Sequence, residues 1–302
     1  MKVRRAITAV AATAGVAGAL MVAAPGAGAD PGCASLEVIA VPGTWESGPE
    51  KSAIGHGMLE SVTGGLGAGT RTHYIDYQAT AFPWEGAVYG ESKADAVAKA
   101  DGLIAQLAGE CPDSRFALIG YSQGADAAGD LAAAIGHNRG PVGPERLAGV
   151  GLLSDPQRSV GDHLVGPPVI GQGASGARPG GFGAVAGDVR TFCTLDDLYC
   201  AAPQDDFVGR IAGLAVQQRP DAGSSETERF APTGLDLIDD LFNAGGIPLL
   251  QQQLTEGANN ERYDKVENFL ASGAHQNYTD YVVDVDGTSA TAWLTRWLNS
   301  LA

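Results

Sequence analysis

Arg115-Phe-Ala-Leu-Ile-Gly-Tyr-Ser-Gln-Gly-Ala-Asp-Ala-Ala-Gly-Asp-Leu-Ala-Ala-Ala-Ile-Gly136 decides the fold. Arg115 to Tyr121 is an apolar run of strand length, and Gln123 to Ile135 is an Ala-rich helix former that Gly136 stops. Between them, Gly120-Tyr121-Ser122-Gln123-Gly124 matches G-x-S-x-G. That pentapeptide is common by chance. Here it lies where its mechanics require it, at a sharp strand-to-helix turn that lifts a serine hydroxyl above a sheet. The backbone N–H of Gln123 then faces the oxyanion that forms when Ser122 attacks a carbonyl.

Working outward, Leu36 to Val41 reads as a buried strand closed by Pro42-Gly43. Glu91 to Gly109 reads as a helix with Val97, Ala100, Ile104 and Leu107 on one face and Gly109 as its stop. Leu147 to Leu153 and Val189 to Cys193 supply further strands, and the Gly- and Pro-rich stretch 165–187 reads as a long surface loop. Strands alternating with helices imply an α/β fold: a central parallel sheet in a three-layer sandwich. From about Gln204 to Ala271 the pattern is helical, with Val208, Ile211 and Leu214 on one face and Leu235, Ile238 and Phe242 on another. Trp293, Leu294, Trp297 and Leu298, at helical spacing near the end, read as core packing.

The chain starts with Lys2, Arg4 and Arg5, an apolar run from Ala6 to Ala24, and the small residues Ala27-Gly28-Ala29. This is the pattern of a secretory signal cleaved after Ala29, leaving one domain over 30–302; the alternative is an uncleaved membrane anchor, for which the run is about long enough but, being rich in Ala and Gly, only weakly apolar. No other stretch is apolar enough to cross a membrane. With 35 acids against 19 Lys and Arg, the net charge of −16 argues against nucleic acid as a partner. The four cysteines of an exported chain suggest two disulfides, for which three pairings exist. In one of them Cys193–Cys200 pins a short loop and Cys33–Cys111 ties the start of the chain to the segment before the nucleophile strand. No C-x-x-C pair and no His at ligand spacing is present, so no metal is expected.

A serine hydroxyl needs a histidine to take its proton and an acid to orient that histidine, in the chain order Ser, acid, His for this fold class. His56 and His73 precede Ser122, His137 ends the nucleophile helix, and His163 comes too early to follow an acid beyond the next strand. His275, in a loop before the final helix, is the candidate base. Asp196 and Asp197, between Cys193 and Cys200, are the candidate acids, and composition does not choose between them. The second oxyanion donor belongs on the loop after the first strand, Pro42-Gly43-Thr44-Trp45-Glu46-Ser47, where Thr44 is the candidate.

Gly120 to Ala125 (G-Y-S-Q-G-A), Cys193-Thr-Leu-Asp-Asp197-Leu-Tyr-Cys200 and the downstream His275 together resemble the cutinase family. The resemblance implies a cutinase-like α/β-hydrolase. It places the acid on Asp197, the nucleophile on Ser122 and the oxyanion position on Thr44, and it pairs Cys33 with Cys111 and Cys193 with Cys200. Val41-Pro-Gly-Thr-Trp-Glu-Ser47, Gly136-His-Asn-Arg-Gly-Pro-Val142, Arg178-Pro-Gly-Gly-Phe-Gly183 and Cys200-Ala-Ala-Pro203 are similar to the cutinase-like envelope lipases of mycolate-bearing bacteria. That subgroup implies phospholipase or thioesterase activity on envelope lipids. The 78 residues from Asp197 to His275 exceed the usual step in that subgroup. A helical insertion there, with Ala79-Thr-Ala-Phe-Pro-Trp84, looks like the phage mycolyl-arabinogalactan esterases, which lack this disulfide pair and a signal like this one.

The expectation is thus a secreted or envelope-associated serine esterase acting on a lipid or other ester, with a helical lid or cap over 204–271 and no metal or organic cofactor. An acyltransferase, in which a sugar hydroxyl replaces water, and a lipid-binding surface protein with an idle triad are the alternatives.

Overall fold

In the computed structural model, which describes residues 32–48, 56–219 and 224–302, five strands form one sheet in the order β2-β1-β3-β4-β5. They are β1 (Leu36–Val41), β2 (Thr70–Tyr74), β3 (Arg115–Tyr121), β4 (Leu147–Leu153) and β5 (Val189–Phe192). Every pairing is parallel. The expected signal and its cleavage site lie outside the described residues. None of the helices within them is long and apolar enough to cross a membrane.

Parallel strands buried on both faces read as continuous apolar runs, and the side-chain period of two then feeds two cores. Ile39, Val41, Phe116, Leu118, Val150 and Leu152 pack on one face, under α2 (Tyr89–Glu110) and α3 (Gln123–Gly136). Leu36, Val38, Ala40, Ala117, Ile119 and Leu153 pack on the other, under the short α1 (Glu60–Thr63) and α8 (Ala290–Asn299). Leu294 and Leu298 are buried there and Trp293 and Trp297 pack beside them, as the helical spacing predicts. The result is a three-layer α/β sandwich.

The register sets where the site lies. Val41 pairs with Gly120, Tyr121 with Leu153, and Leu153 with Phe192. The C-terminal ends of β1, β3, β4 and β5 are therefore level, and the chain reverses its build direction between β1 and β3. That is a topological switch point, where open parallel sheets form their ligand crevice.

Several expectations change. Thr70-Arg-Thr-His-Tyr74 is too polar to read as a strand from sequence, yet it forms the edge strand β2, whose Arg71 and His73 reach the buried Glu37 of β1 at 3.1 and 2.7 Å. Gly109 does not stop α2; the helix runs to Glu110 and ends at Cys111, which is held by its disulfide to Cys33. The stretch 165–187 is not simply a surface loop. Val165, Ser175, Arg178, Phe182 and Val185 are buried. Arg178 ties the stretch inward through Asp130 and Asp155, and the Arg158 guanidinium donates to the Gly171 and Cys200 carbonyls.

The helical region holds α4 (Phe207–Val216), α5 (Ser224–Ala244), α6 (Gly246–Gln253) and α7 (Glu256–Ser272). Its small core is Phe207, Leu237 and Leu241, backed by Leu214, Leu249 and Leu250. The stripe of Leu235, Ile238 and Phe242 read from the sequence is not the one that α5 buries, and the Val208, Ile211 and Leu214 face of α4 is covered only in part. Leu235, Ile238 and Phe242 are exposed, as is Ile211. α5 carries two apolar stripes, and contact with α4 and α6 on one side covers only the stripe of Leu237 and Leu241.

Candidate active site

Ser122 sits between β3 and α3 at φ 55°, ψ −122°, a conformation that L residues rarely adopt. The flanking glycines make that turn possible by their lack of bulk. A Cβ on Gly120 would collide with the Gly124 carbonyl, and one on Gly124 with the Val41 and Pro42 carbonyls. The Ser122 N–H donates to the Leu153 carbonyl at 2.9 Å, tying the turn to β4. Gln123 opens α3, and its side chain accepts from Ser92 Oγ at 3.0 Å and donates to the Thr80 carbonyl at 2.9 Å.

His275 arrives from the other end of the chain. Gly273, at φ 66°, takes the left-handed position that ends α7, and the next turn presents the imidazole. His275 Nε2 lies 2.9 Å from Ser122 Oγ, and Nδ1 lies 3.0 Å from Asp197 Oδ2. The hydroxyl of Tyr121, which precedes Ser122, donates to the His275 carbonyl at 2.8 Å. Tyr199 packs on the imidazole with ring centroids 4.5 Å apart, and Phe269 of α7 approaches it edge-on at 6.1 Å.

Asp197 is fully buried while Asp196 is exposed, so the structure brings only Asp197 to His275. The Cys193–Cys200 disulfide closes its loop, and Cys33–Cys111 is the second bridge. Within the loop, Asp197 Oδ1 accepts the Tyr199 N–H at 3.0 Å, and its carbonyl accepts from Cys200 and Ala201. Oδ2 accepts the Ser154 hydroxyl at 2.6 Å and the Tyr278 hydroxyl at 2.7 Å. Burial works to raise the Asp197 carboxyl, but the hydrogen bonds from His275, Ser154 and Tyr278 outweigh it and hold the group below the usual carboxylate range. It is an anion where an imidazolium would form.

Thr44 leaves the same sheet edge on the loop after β1, where Glu46 organises the backbone. Glu46 Oε2 accepts the Gly43 N–H at 2.9 Å, Oε1 accepts the Met58 N–H at 3.0 Å, and the Glu46 N–H returns to the Gly43 carbonyl at 3.1 Å. Burial raises the Glu46 carboxyl against the pull of those N–H groups and of His275. The N–H of Gln123 belongs to the first turn of a helix, which has no intrahelical acceptor.

The other histidines are engaged elsewhere. His56 stacks on Tyr74, His73 meets Glu37, His137 reaches the Gly180 carbonyl, and His163 lies beside β5, where its backbone carbonyl accepts the Thr191 N–H. Sequence reading missed Ser154, Tyr278 and Glu46. The first could have been sought as the residue directly following β4, level with Ser122; the last lies within the loop already singled out for Thr44.

Beneath the turn, Asp126 and Asp130 of α3 meet Lys93 of α2 and Arg178, and Arg178 also grips Asp155 through both carboxylate oxygens at 2.9 Å. Gln217, just beyond α4, bonds Asp126, Ser175 and Lys93. This buried network couples α3 to the inserted helices. Among the described residues, no cluster of His, Cys, Asp or Glu could hold a metal.

The chain is 30% identical over 207 residues to the carboxylesterase Culp6 homolog of Corynebacterium glutamicum, covering 57% of this chain and 66% of that one. It is 35% identical over 123 residues to a cutinase of Kineococcus radiotolerans, covering 39% and 38%. The matches thus span less than two thirds of each relative's own length. Among solved structures, the catalytic core of an acetyl xylan esterase from Trichoderma reesei superposes with a TM-score of 0.47 at 23% identity, covering 61% of this chain and 93% of that one. The family model described as Cutinase matches residues 32–208, more than half of the chain, and the protein belongs to the cutinase family.

Proposed function

We propose that the protein is an exported serine esterase that hydrolyses carboxylic esters of acyl lipids through Ser122, His275 and Asp197. The observation that carries the reading is the unbroken relay from Ser122 Oγ through both imidazole nitrogens to a buried, hydrogen-bonded Asp197. In that relay Ser122 Oγ attacks the ester carbonyl carbon as His275 Nε2 takes its proton, and Asp197 stabilises the imidazolium. The N–H groups of Gln123 and Thr44 receive the oxyanion, each worth about 2.7–4 kcal/mol in the transition state. The tetrahedral adduct collapses, and the departing alcohol takes the Nε2 proton. Water, deprotonated by the same nitrogen, then attacks the acyl-enzyme and releases the acid.

Export is supported by the two disulfides, which persist in oxidising compartments. An acyl substrate is supported by aromatic side chains against the relay and by exposed apolar ones on α7 and on the loop after β1. Tyr199 and Phe269 flank His275, while Val266 and Leu270 of α7 and Trp45 beside Thr44 are exposed. The inserted helices serve in this reading as a wall for the acyl chain.

A fluorophosphonate probe should label the wild-type protein on Ser122, and Ser122→Ala should lose that labelling and nearly all ester turnover while staying folded. Labelling that survives the substitution puts the nucleophile elsewhere. Incubation with an envelope lipid extract and mass spectrometry of the released acids identifies the substrate.

A further inference from the structure

Three donors converge on one oxygen of Asp197. Oδ2 receives the Ser154 hydroxyl at 2.6 Å, the Tyr278 hydroxyl at 2.7 Å and His275 Nδ1 at 3.0 Å. Ser154 Oγ also lies 3.1 Å from Nδ1, so hydroxyl and imidazole stand side by side over the same acceptor. Ser154 follows β4 directly, is fully buried, and has φ 57°, a backbone state that suits glycine. Its N–H is held by the Phe192 carbonyl at 2.9 Å, so the β4–β5 edge fixes where its hydroxyl sits. Tyr278 is also fully buried; burial and the charge of Asp197 push its phenol well up, so it remains a donor.

We propose that Ser154 and Tyr278 are positioning residues that share the negative charge of Asp197 Oδ2 with His275 and thereby limit how tightly the imidazolium is held. The inference rests on the relay described above. A hydrogen bond to a carboxylate stabilises the anion and makes it a weaker base. Each hydroxyl therefore diverts part of the pull that Oδ2 would otherwise exert on the Nδ1 proton. With both hydroxyls present, the carboxylate orients the ring without trapping it in the protonated form that cannot accept the Ser122 proton. Removing either hydroxyl concentrates charge on the remaining Nδ1–H···Oδ2 bond, and the base stays protonated to higher pH.

The other groups facing His275 do not change in such variants. They are the Glu46 carboxylate from the loop after β1, Tyr121 at the end of β3, Tyr199 from the disulfide loop, and Ser122 itself. A shift in the pH profile then reports the hydroxyl removed.

The test is kcat/KM against pH for a short-chain chromogenic ester, with the melting midpoint of each variant alongside. Ser154→Ala deletes only the hydroxyl and keeps the Cβ already present at this φ, and Tyr278→Phe deletes the second. The acid limb should move to higher pH by about half a unit in each and by about one unit in the double variant. If Ser154→Ala folds poorly, Ser154→Gly suits the backbone and should shift the limb in the same direction. An acid limb that stays put, or moves to lower pH, in folded variants overturns the inference. Failure of the relay itself would look different: a wild-type protein that a fluorophosphonate does not label on Ser122.

Discussion

Exchange of Cys193 and Cys200 for alanine removes a bridge with a sequence separation of 7, whereas exchange of Cys33 and Cys111 removes one with a separation of 78. Loop-closure entropy assigns about 2.4 kcal/mol to the short bridge and about 4.5 kcal/mol to the long one. In a chain of this size the short one should lower the melting midpoint by about 5–10 °C and the long one by nearly twice that. Catalysis should respond in the opposite order. Asp197 lies inside the short loop, and without the bridge its carboxylate is held by the Tyr199 N–H, Ser154 and Tyr278, each bond to the anion worth about 1.5–3 kcal/mol net. A displacement of about 1 Å in an orienting group costs about 10²-fold in rate. Calorimetry and kcat on a short-chain ester, measured on both double variants, separate the two roles. The reasoning is refuted if the short-bridge variant keeps its kcat, or if both variants lose kcat in step with their melting midpoints.

Glu46→Ala should lower kcat about 10²-fold with little change in KM, because the Gly43 and Met58 N–H groups lose the carboxylate that shapes the Thr44 loop; steady-state kinetics on a short ester checks it. The Asp197 carboxyl is depressed in the folded chain, so its contribution to stability is complete above the unfolded value of about 3.9 and is lost as pH falls through the lower folded one. The stability gap between wild type and Asp197→Asn, read by denaturant titration, should therefore close below about pH 4. Val266→Asp with Leu270→Asp on the exposed stripe of α7 should leave short-chain ester turnover near wild type and cut long-chain turnover about tenfold, one lost apolar contact at a time; equal loss on both substrates would mean that α7 only positions His275.

Legibility in the sequence followed the range of the signal. β3 and β4 could be read because buried parallel strands are near-continuous apolar runs, β1 despite the Glu37 within it, and α3 because its helix formers follow a G-x-S-x-G turn, whereas Arg190 and Thr191 leave β5 only Val189 and Phe192 as apolar signal. β2 could not be read, since an edge strand whose Arg71 and His73 answer a buried Glu37 looks like any polar segment. For α5 the amphipathic pattern gives the apolar stripe of Leu235, Ile238 and Phe242 but not that α4 and α6 cover the other stripe, Leu237 and Leu241. Asp197 needed more than composition to be told from Asp196, because nothing local distinguishes a buried carboxylate from an exposed one. Its burial depends on Tyr278 and Ser154, 81 and 43 residues away.

The parallel register links these distant pieces. With Val41 level with Gly120, Tyr121 with Leu153, and Leu153 with Phe192, the first residues beyond each strand must meet at one edge. β1 delivers Thr44 and Glu46, β3 delivers Ser122, β4 delivers Ser154, and β5 delivers the Cys193–Cys200 loop with Asp197. Once the strand order is known, a serine after β4 stops being an unremarkable loop residue, because the sheet leaves it nowhere to point except toward the groups its neighbours deliver. Among Ser122, Asp197 and His275, only His275 is not placed by a strand, and it is also the residue most dependent on others for its position. Tyr121 holds its carbonyl, Tyr199 and Phe269 its ring, and Asp197 its Nδ1. A histidine that follows four inserted helices needs such restraints if its Nε2 is to stay within hydrogen-bonding reach of Ser122.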